Sequence, residues 1–250
     1  MKKLIGIVGH SGGEASFCTG KAYLEFFKYF SDNLVILTPN SFIPNLDLLV
    51  LPGGKDVING GGGDFSFNNS PGEAFLEHFD KNTLPKYIEA GIPIWGTCRG
   101  FQSLCNHFGV PIQQDITMPH GYSKNEYDYD ANEVFFHGEF GYLRTDQQFI
   151  TEKKKACFKI GSWHHQYIET KSLEGHEHLV SVAGTADGVC EYMISRRHRI
   201  AGAQGHVERD GNALAVHMIQ ELLNQVEDPI FFPHIEERVE AAPQMEEVPA

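Results

Sequence analysis

Four short apolar runs, residues 4–8, 34–37, 48–51 and 92–95, recur through the first hundred residues with helical patterns between them. A strand solvated on one face alternates apolar and polar positions, whereas a run apolar almost throughout has to be covered on both faces. Strands of that kind, separated by helices, build a parallel sheet between two helical layers, so an α/β architecture is expected. The helical segments are 21–30, two short pieces within 72–90, a stretch after Cys98 marked by Gln102, Cys105 and Asn106, and 212–226. In the last of these Ala215, Ile219, Leu222, Leu223 and Val226 share one face. Pro85 is placed to open the second short piece, because its missing N–H costs nothing in a first helical turn. The second half is richer in strands, at 179–183, 189–194 and 200–204, and shows no repeat of fixed period.

The chain has 250 residues, 41% hydrophobic and 21% charged, which is enough to bury a sizeable core and excludes disorder throughout. Twenty Lys and Arg face 33 Asp and Glu, and a formal charge of −13 opposes binding to phosphate backbones or anionic lipid. No apolar run approaches the ~20 residues of a membrane helix. Neither a nucleic-acid nor a membrane partner is expected. Met-Lys-Lys at the start lacks the apolar length of a signal peptide and reads as the lead-in to a first strand. Five cysteines, 18, 98, 105, 157 and 190, form no C-x-x-C pair, which argues against a disulfide framework or structural zinc and fits a reducing, cytoplasmic setting.

From Glu227 the composition changes to proline and acid. Residues 227–250 hold seven acids and one base, a net of −6, which leaves −7 on the body of the protein. Residues 1–226 are read as one domain and 227–250 as an acidic, Pro-rich tail in which Ile230-Phe231-Phe232 docks on the body or on a partner. The glycines at 60–63 read as a flexible loop: a phosphate-cradling loop wants a following Lys-Ser/Thr, and Asp-Phe-Ser-Phe stands there instead.

The segment Gly91-Ile-Pro-Ile-Trp-Gly-Thr-Cys-Arg-Gly-Phe-Gln-Ser-Leu carries the most chemistry. A buried strand runs into Gly-x-Cys-x-Gly and then a helix, the sulfur form of the nucleophile elbow, in which a strained turn presents the nucleophile above the sheet. A helix N-terminus behind Cys98 favours the thiolate that attacks. Cys105, inside the helix, reads as core packing. A nucleophilic thiol needs a base and the base needs an orienting group. Gly202-Ala-Gln-Gly-His-Val-Glu supplies both: in an extended backbone residues i and i+2 point the same way, so Glu208 would reach Nδ1 of His206 and leave Nε2 for the cysteine. His-x-Glu alone occurs often by chance and gains weight only beside an elbow. Leu51-Pro-Gly-Gly-Lys-Asp-Val offers backbone N–H groups for an oxyanion, although Pro-Gly-Gly also suffices as a plain turn. The Arg99 N–H, first after the nucleophile, is the other natural donor.

These segments, with Ile112-Gln-Gln-Asp-Ile, Ser162-Trp-His-His-Gln and Asp187-Gly-Val-Cys-Glu, occur in the order and rough spacing of the class I glutamine amidotransferase superfamily over about residues 3 to 226. The chain resembles, more narrowly, the γ-glutamyl-γ-aminobutyrate hydrolase-like, or γ-glutamyl hydrolase, branch. The resemblance implies a flavodoxin-like, mostly parallel sheet flanked by helices. It also implies a cysteine hydrolase of γ-glutamyl amides: Cys98 attacks the γ-carbonyl, His206 held by Glu208 moves the protons, a thioester forms and water releases glutamate. Gly54 and Arg99 would then supply the oxyanion hole, and Gly53, Gln102, Ser162, Trp163, His164 and His165 would surround the glutamyl head group. No cofactor and no metal are implied.

Two residues depart from the family pattern. Gly205 replaces an aromatic before the histidine, which removes a packing residue beside the base, and Val207 replaces a proline, with the extended backbone expected to survive. The glycine run is also foreign to the family. Thirteen histidines raise a metal alternative, but His164-His165 and His176-Glu-His178 lack helical i, i+4 spacing with a third ligand. Lys153 to Lys155 reads as solvated surface. Two alternatives to a free-standing hydrolase of a small γ-glutamyl substrate stay open: a glutaminase component passing ammonia to a separate synthetase, and a catalytically silent binding or regulatory homologue. A homodimer or an unidentified synthetase are the partners considered.

Overall fold

A computed structural model describes residues 2–11, 17–57, 74–113, 131–136, 157–161, 164, 166–227 and 229–232. Among them are strands β1 (Ile5–Val8), β2 (His10–Ser11), β3 (Phe17–Cys18), β4 (Leu34–Leu37), β5 (Leu48–Leu51), β6 (Ile94–Thr97), β7 (Ala131–Phe136), β8 (Cys157–Gly161), β9 (Val180–Gly184), β10 (Cys190–Ser195) and β11 (Ile200–Ala203). The helices are α1 (Lys21–Lys28), α2 (Ala74–Asn82), α3 (Leu84–Glu89), α4 (Arg99–His107), α5 (Val207–Asp210) and α6 (Ala213–Leu222).

Nine strands form one sheet in the order β4-β1-β5-β6-β11-β10-β9-β7-β8. The first five are mutually parallel; from β11 to β10 the sheet turns antiparallel and stays so through β9, β7 and β8. The α/β expectation holds, and the strand-rich second half is the antiparallel extension. Every residue of β1, β5, β6 and β11 is buried, whereas β4 at the edge leaves Ile36 40% exposed.

The apolar runs have two destinations. Leu48 and Val50 of β5 face a core shared with Tyr23 and Phe27 of α1 and with Leu214, Met218 and Ile219 of α6. Leu49 and Leu51 face the opposite core, with Leu76, Phe79, Tyr87, Phe101 and Leu104 of α2 to α4. Strand pleating sends alternate side chains to opposite faces, so two covered faces require apolarity at every position.

Element ends shift by a few residues from the sequence expectation, each for a local reason. Pro85 lies in the first turn of α3 as expected. The side chain of Asn212 accepts from the Leu214 and Ala215 N–H groups at 2.9 and 3.3 Å and starts α6. That helix stops at Leu222, short of 226, where Asn224 is left-handed (φ 54°) and the Arg199 guanidinium caps the carbonyls of Glu221 and Leu222 at 3.1 and 2.9 Å. The chain then folds back: the Ile230, Phe231 and Phe232 N–H groups donate to the Glu221 carboxylate at 2.7, 2.7 and 2.8 Å, and both phenylalanines are buried in the α1–α6 core. Ile230-Phe231-Phe232 therefore docks on the body of the protein. The glycine run at 60–63, Lys153 to Lys155 and the tail beyond 232 lie outside the described residues.

Candidate active site

Three neighbouring parallel strands end together. The register sets Leu51 of β5 beside Gly96 of β6, and Thr97 of β6 beside Ala203 of β11. Pro52-Gly53-Gly54, Cys98 and the turn to His206 therefore emerge side by side at the carboxyl edge, where open α/β sheets place their ligands.

Cys98 sits between β6 and α4 with φ 51° and ψ −107°, a conformation L-residues rarely adopt, and its N–H is tied to the Ala203 carbonyl at 2.8 Å. The turn needs glycine on both sides because backbones nearly touch: a Cβ on Gly96 would lie 2.7 Å from the Gly100 carbonyl oxygen, and the Gly100 N–H reaches the Pro52 carbonyl at 3.2 Å. Cys98 thus occupies the N-cap position of α4.

His206 Nδ1 donates to Glu208 Oε1 at 2.7 Å, both side chains being buried. The contact is made by a different backbone from the one read in the sequence: His206 is the N-cap of α5 (φ −89°, ψ 73°), and Val207 opens a helical turn in place of an extended strand. The carboxylate reaches the ring by folding back over that turn. Nδ1 being engaged, Nε2 is the nitrogen left for Cys98, with which the His206 side chain hydrogen-bonds. Burial opposes a charge on the imidazole, but the charge of Cys98, its hydrogen bond, and the hydrogen bond and charge of Glu208 outweigh it and push the His206 pKa up to about 10. That shift favours the imidazolium form of His206, held between the Cys98 sulfur and the Glu208 carboxylate.

Gly53 closes the group. A Cβ there would lie 2.7 Å from His206 Cε1, 3.2 Å from the Tyr23 hydroxyl and 3.5 Å from Cys98 Cβ. Its N–H donates to the Tyr23 oxygen at 2.7 Å, so Gly53 lines the site through its missing side chain rather than through its donor. Gly54 is exposed, beside Arg99 Cδ at 3.0 Å and His10 Cε1 at 3.3 Å for a Cβ built on it. The Arg99 guanidinium is buried on α2, 3.2 Å from Glu77 and 2.9 Å from Asp80, so only its backbone is left for the edge.

Gln102 and His164 are brought together, each through Gln166. Gln102 Nε2 donates to the Gln166 carbonyl at 2.8 Å and to Gln204 Oε1 at 3.3 Å, while His164 Nδ1 meets the same carbonyl at 2.9 Å. The Gln166 side chain clamps Val57, accepting from its N–H at 2.8 Å and donating to its carbonyl at 3.1 Å. Gln102 is thus a tie between α4 and the segment around 166. Ser162, Trp163 and His165 lie outside the described residues. Tyr23, Gln166 and Gln204 were not singled out from the sequence. Gln166 and Gln204 stand inside quoted motifs, and Tyr23 reads as one more core aromatic of an amphipathic helix. Among the described residues no three His, Cys, Asp or Glu are grouped so as to hold a metal ion, and no helix is long and apolar enough to cross a membrane.

A cysteine elbow at the carboxyl edge of a mostly parallel central sheet, with a histidine and a glutamate after the strand beside it, defines the class I glutamine amidotransferase superfamily. Within it the chain belongs to the Peptidase C26 family, which it matches over residues 36–208. It is 23% identical over 202 residues to the glutamine amidotransferase-like protein YvdE of Lactococcus lactis, covering 76% of this chain and 80% of that protein. It is 25% identical over 176 residues to the γ-glutamyl-CDP-amidate hydrolase of Campylobacter jejuni, covering 70% and 72%. Solved structures share the fold: the glutaminase domain of Trypanosoma brucei CTPS with bound acivicin (TM-score 0.57, 14% identity, 93% of this chain and 98% of that one). A glutamine amidotransferase from Thermotoga maritima does so too (TM-score 0.52, 16% identity, 92% and 87%).

Proposed function

We propose that this protein hydrolyses a γ-glutamyl amide through a thioester at Cys98. The observation that carries the reading is the strained Cys98 at the N-terminus of α4, hydrogen-bonded to an imidazolium that Glu208 holds. The Cys98 thiolate attacks the γ-carbonyl, and the Gly54 and Arg99 N–H groups receive the oxyanion. The proton on His206 Nε2 passes to the leaving nitrogen as the C–N bond breaks, which leaves an acyl-enzyme and a neutral imidazole. Water then gives its proton to His206 as it attacks the thioester; the C–S bond breaks, glutamate departs and the thiolate–imidazolium pair is restored. The C. jejuni relative, named for hydrolysis of a γ-glutamyl amidate, supports a free-standing hydrolase.

The test is a panel of γ-glutamyl amines and glutamine offered to wild type and Cys98→Ser, with glutamate release measured. Wild type releases glutamate, and the variant loses at least about a thousandfold. Mass spectrometry should also find acivicin bound to the Cys98 peptide. Equal turnover in the variant overturns the mechanism, and turnover only in the presence of a second protein replaces it with a glutaminase feeding a synthetase.

A further inference from the structure

Tyr23 lies early in α1, nearly buried, and its oxygen accepts the Gly53 N–H at 2.7 Å. A phenol also carries one proton to donate. The helix α1 packs against α5, which bears Glu208. Glu208 Oε1 is taken by His206, while its other oxygen, Oε2, is buried with no further hydrogen-bond partner among the described residues. Around the missing Cβ of Gly53 the Tyr23 hydroxyl, the His206 ring and Cys98 converge within 3.5 Å of one point.

We propose that Tyr23 is a positioning residue: its hydroxyl, pinned by the Gly53 N–H, donates to Glu208 Oε2 and fixes the carboxylate that orients His206. A carboxylate held through one oxygen rotates about its Cγ–Cδ bond, and one held through both does not, so the second bond sets the direction of the first. The phenol is kept protonated and available as a donor by its burial first, then by the charges of Glu208 and Cys98 that face it. One hydroxyl thereby couples the strand that carries the oxyanion glycine to the helix that carries the orienting acid. The role rests on the catalytic reading of Cys98, His206 and Glu208, and its test is chosen to be separable from that reading.

The experiment follows iodoacetamide alkylation of Cys98 from about pH 5 to 9, read on the Cys98 peptide by mass spectrometry because the exposed Cys18 is alkylated too. Wild type, Tyr23→Phe, Glu208→Gln and the double variant are compared, with circular dichroism as the check on folding. Tyr23→Met, which also keeps apolar volume, replaces the phenylalanine variant if that one does not fold. Loss of the phenol lets Glu208 swing off the ring, so the imidazolium is less well held and the thiolate forms at higher pH. The midpoint should rise by about one pH unit in Tyr23→Phe. Tyr23→Phe should add nothing in the Glu208→Gln background, and kcat should fall about tenfold with KM within about twofold. A profile superimposable on wild type, or additive effects of the two substitutions, overturns the role. A shifted midpoint in a protein that releases no glutamate keeps Tyr23 and overturns the proposed reaction instead.

Discussion

Among the described residues two histidines pair with buried glutamates, and the pairs are not equivalent. His206 Nδ1 lies 2.7 Å from Glu208 at the carboxyl edge, and His217 Nε2 lies 2.8 Å from Glu221 on α6. Both carboxylates are almost fully removed from water, which for an unpaired charge costs several kcal/mol. Glu221 also accepts three consecutive backbone N–H groups, so its charge is met by three hydrogen bonds besides the neighbouring His217 ring. Glu208 accepts from His206 through Oε1, Oε2 being the oxygen proposed for Tyr23, and its histidine faces Cys98. A saturated pair fastens chain to chain. On the proposed mechanism, the pair beside Cys98 instead carries the proton that moves.

The sharpest way to break this contrast is to remove each histidine. His206→Asn should lower kcat at least about a thousandfold, roughly 4 kcal/mol of transition-state stabilisation, with a melting temperature close to wild type. His217→Asn should leave kcat within about twofold and cost about 1 kcal/mol in urea unfolding. Loss of stability with full activity in His206→Asn would make the first pair structural. Next in size is Glu221→Ala, which strands three N–H groups and frees Phe231 and Phe232 from the core. Stability should fall by about 3 kcal/mol, and hydrogen exchange at 230–232 should rise toward that of an open chain. Deleting residues 233–250 leaves those contacts in place and should change neither quantity.

A third buried acid, Glu191 on β10, sharpens the contrast from the other side, with neither side-chain oxygen hydrogen-bonded among the described residues. Burial first, and then the charge of Asp187, push its pKa up to about 8. A folded-state value above that of the unfolded chain means stability present in full near pH 4.5 and lost as pH rises through about 8. Glu191→Gln cannot ionise, so its stability relative to wild type should grow from pH 5 to 8, with a slope approaching about one proton per molecule. A parallel pair of stability curves would show that Glu191 stays charged.

The parallel half was readable because a strand covered on both faces leaves a distinctive run of apolar residues, and because Gly-x-Cys-x-Gly needs a close-packed turn at each glycine. The pairing of His206 with Glu208 was readable as a contact but not as a geometry. Spacing of two residues looks the same in a strand as in the first turn of α5, where Val207 contributes a buried apolar side chain either way. Glu221 and Tyr23 escaped for opposite reasons. An acid near the end of a helix reads as solvated when the chain that will cover it arrives nine residues later, and a tyrosine among phenylalanines reads as filling when its oxygen is the part that matters. Gly205, where the family has an aromatic, is buried in the turn before His206, and it leaves the His206–Glu208 contact intact.

The left-handed backbone at Cys98 has a consequence for how such a chain evolves. That conformation costs a side-chain-bearing residue roughly 1–3 kcal/mol and costs glycine little. Selection for stability alone would therefore favour glycine over cysteine at this turn. The two cores on either side of β6 bear that strain, and on the proposed function they bear it to hold a nucleophile at the carboxyl edge.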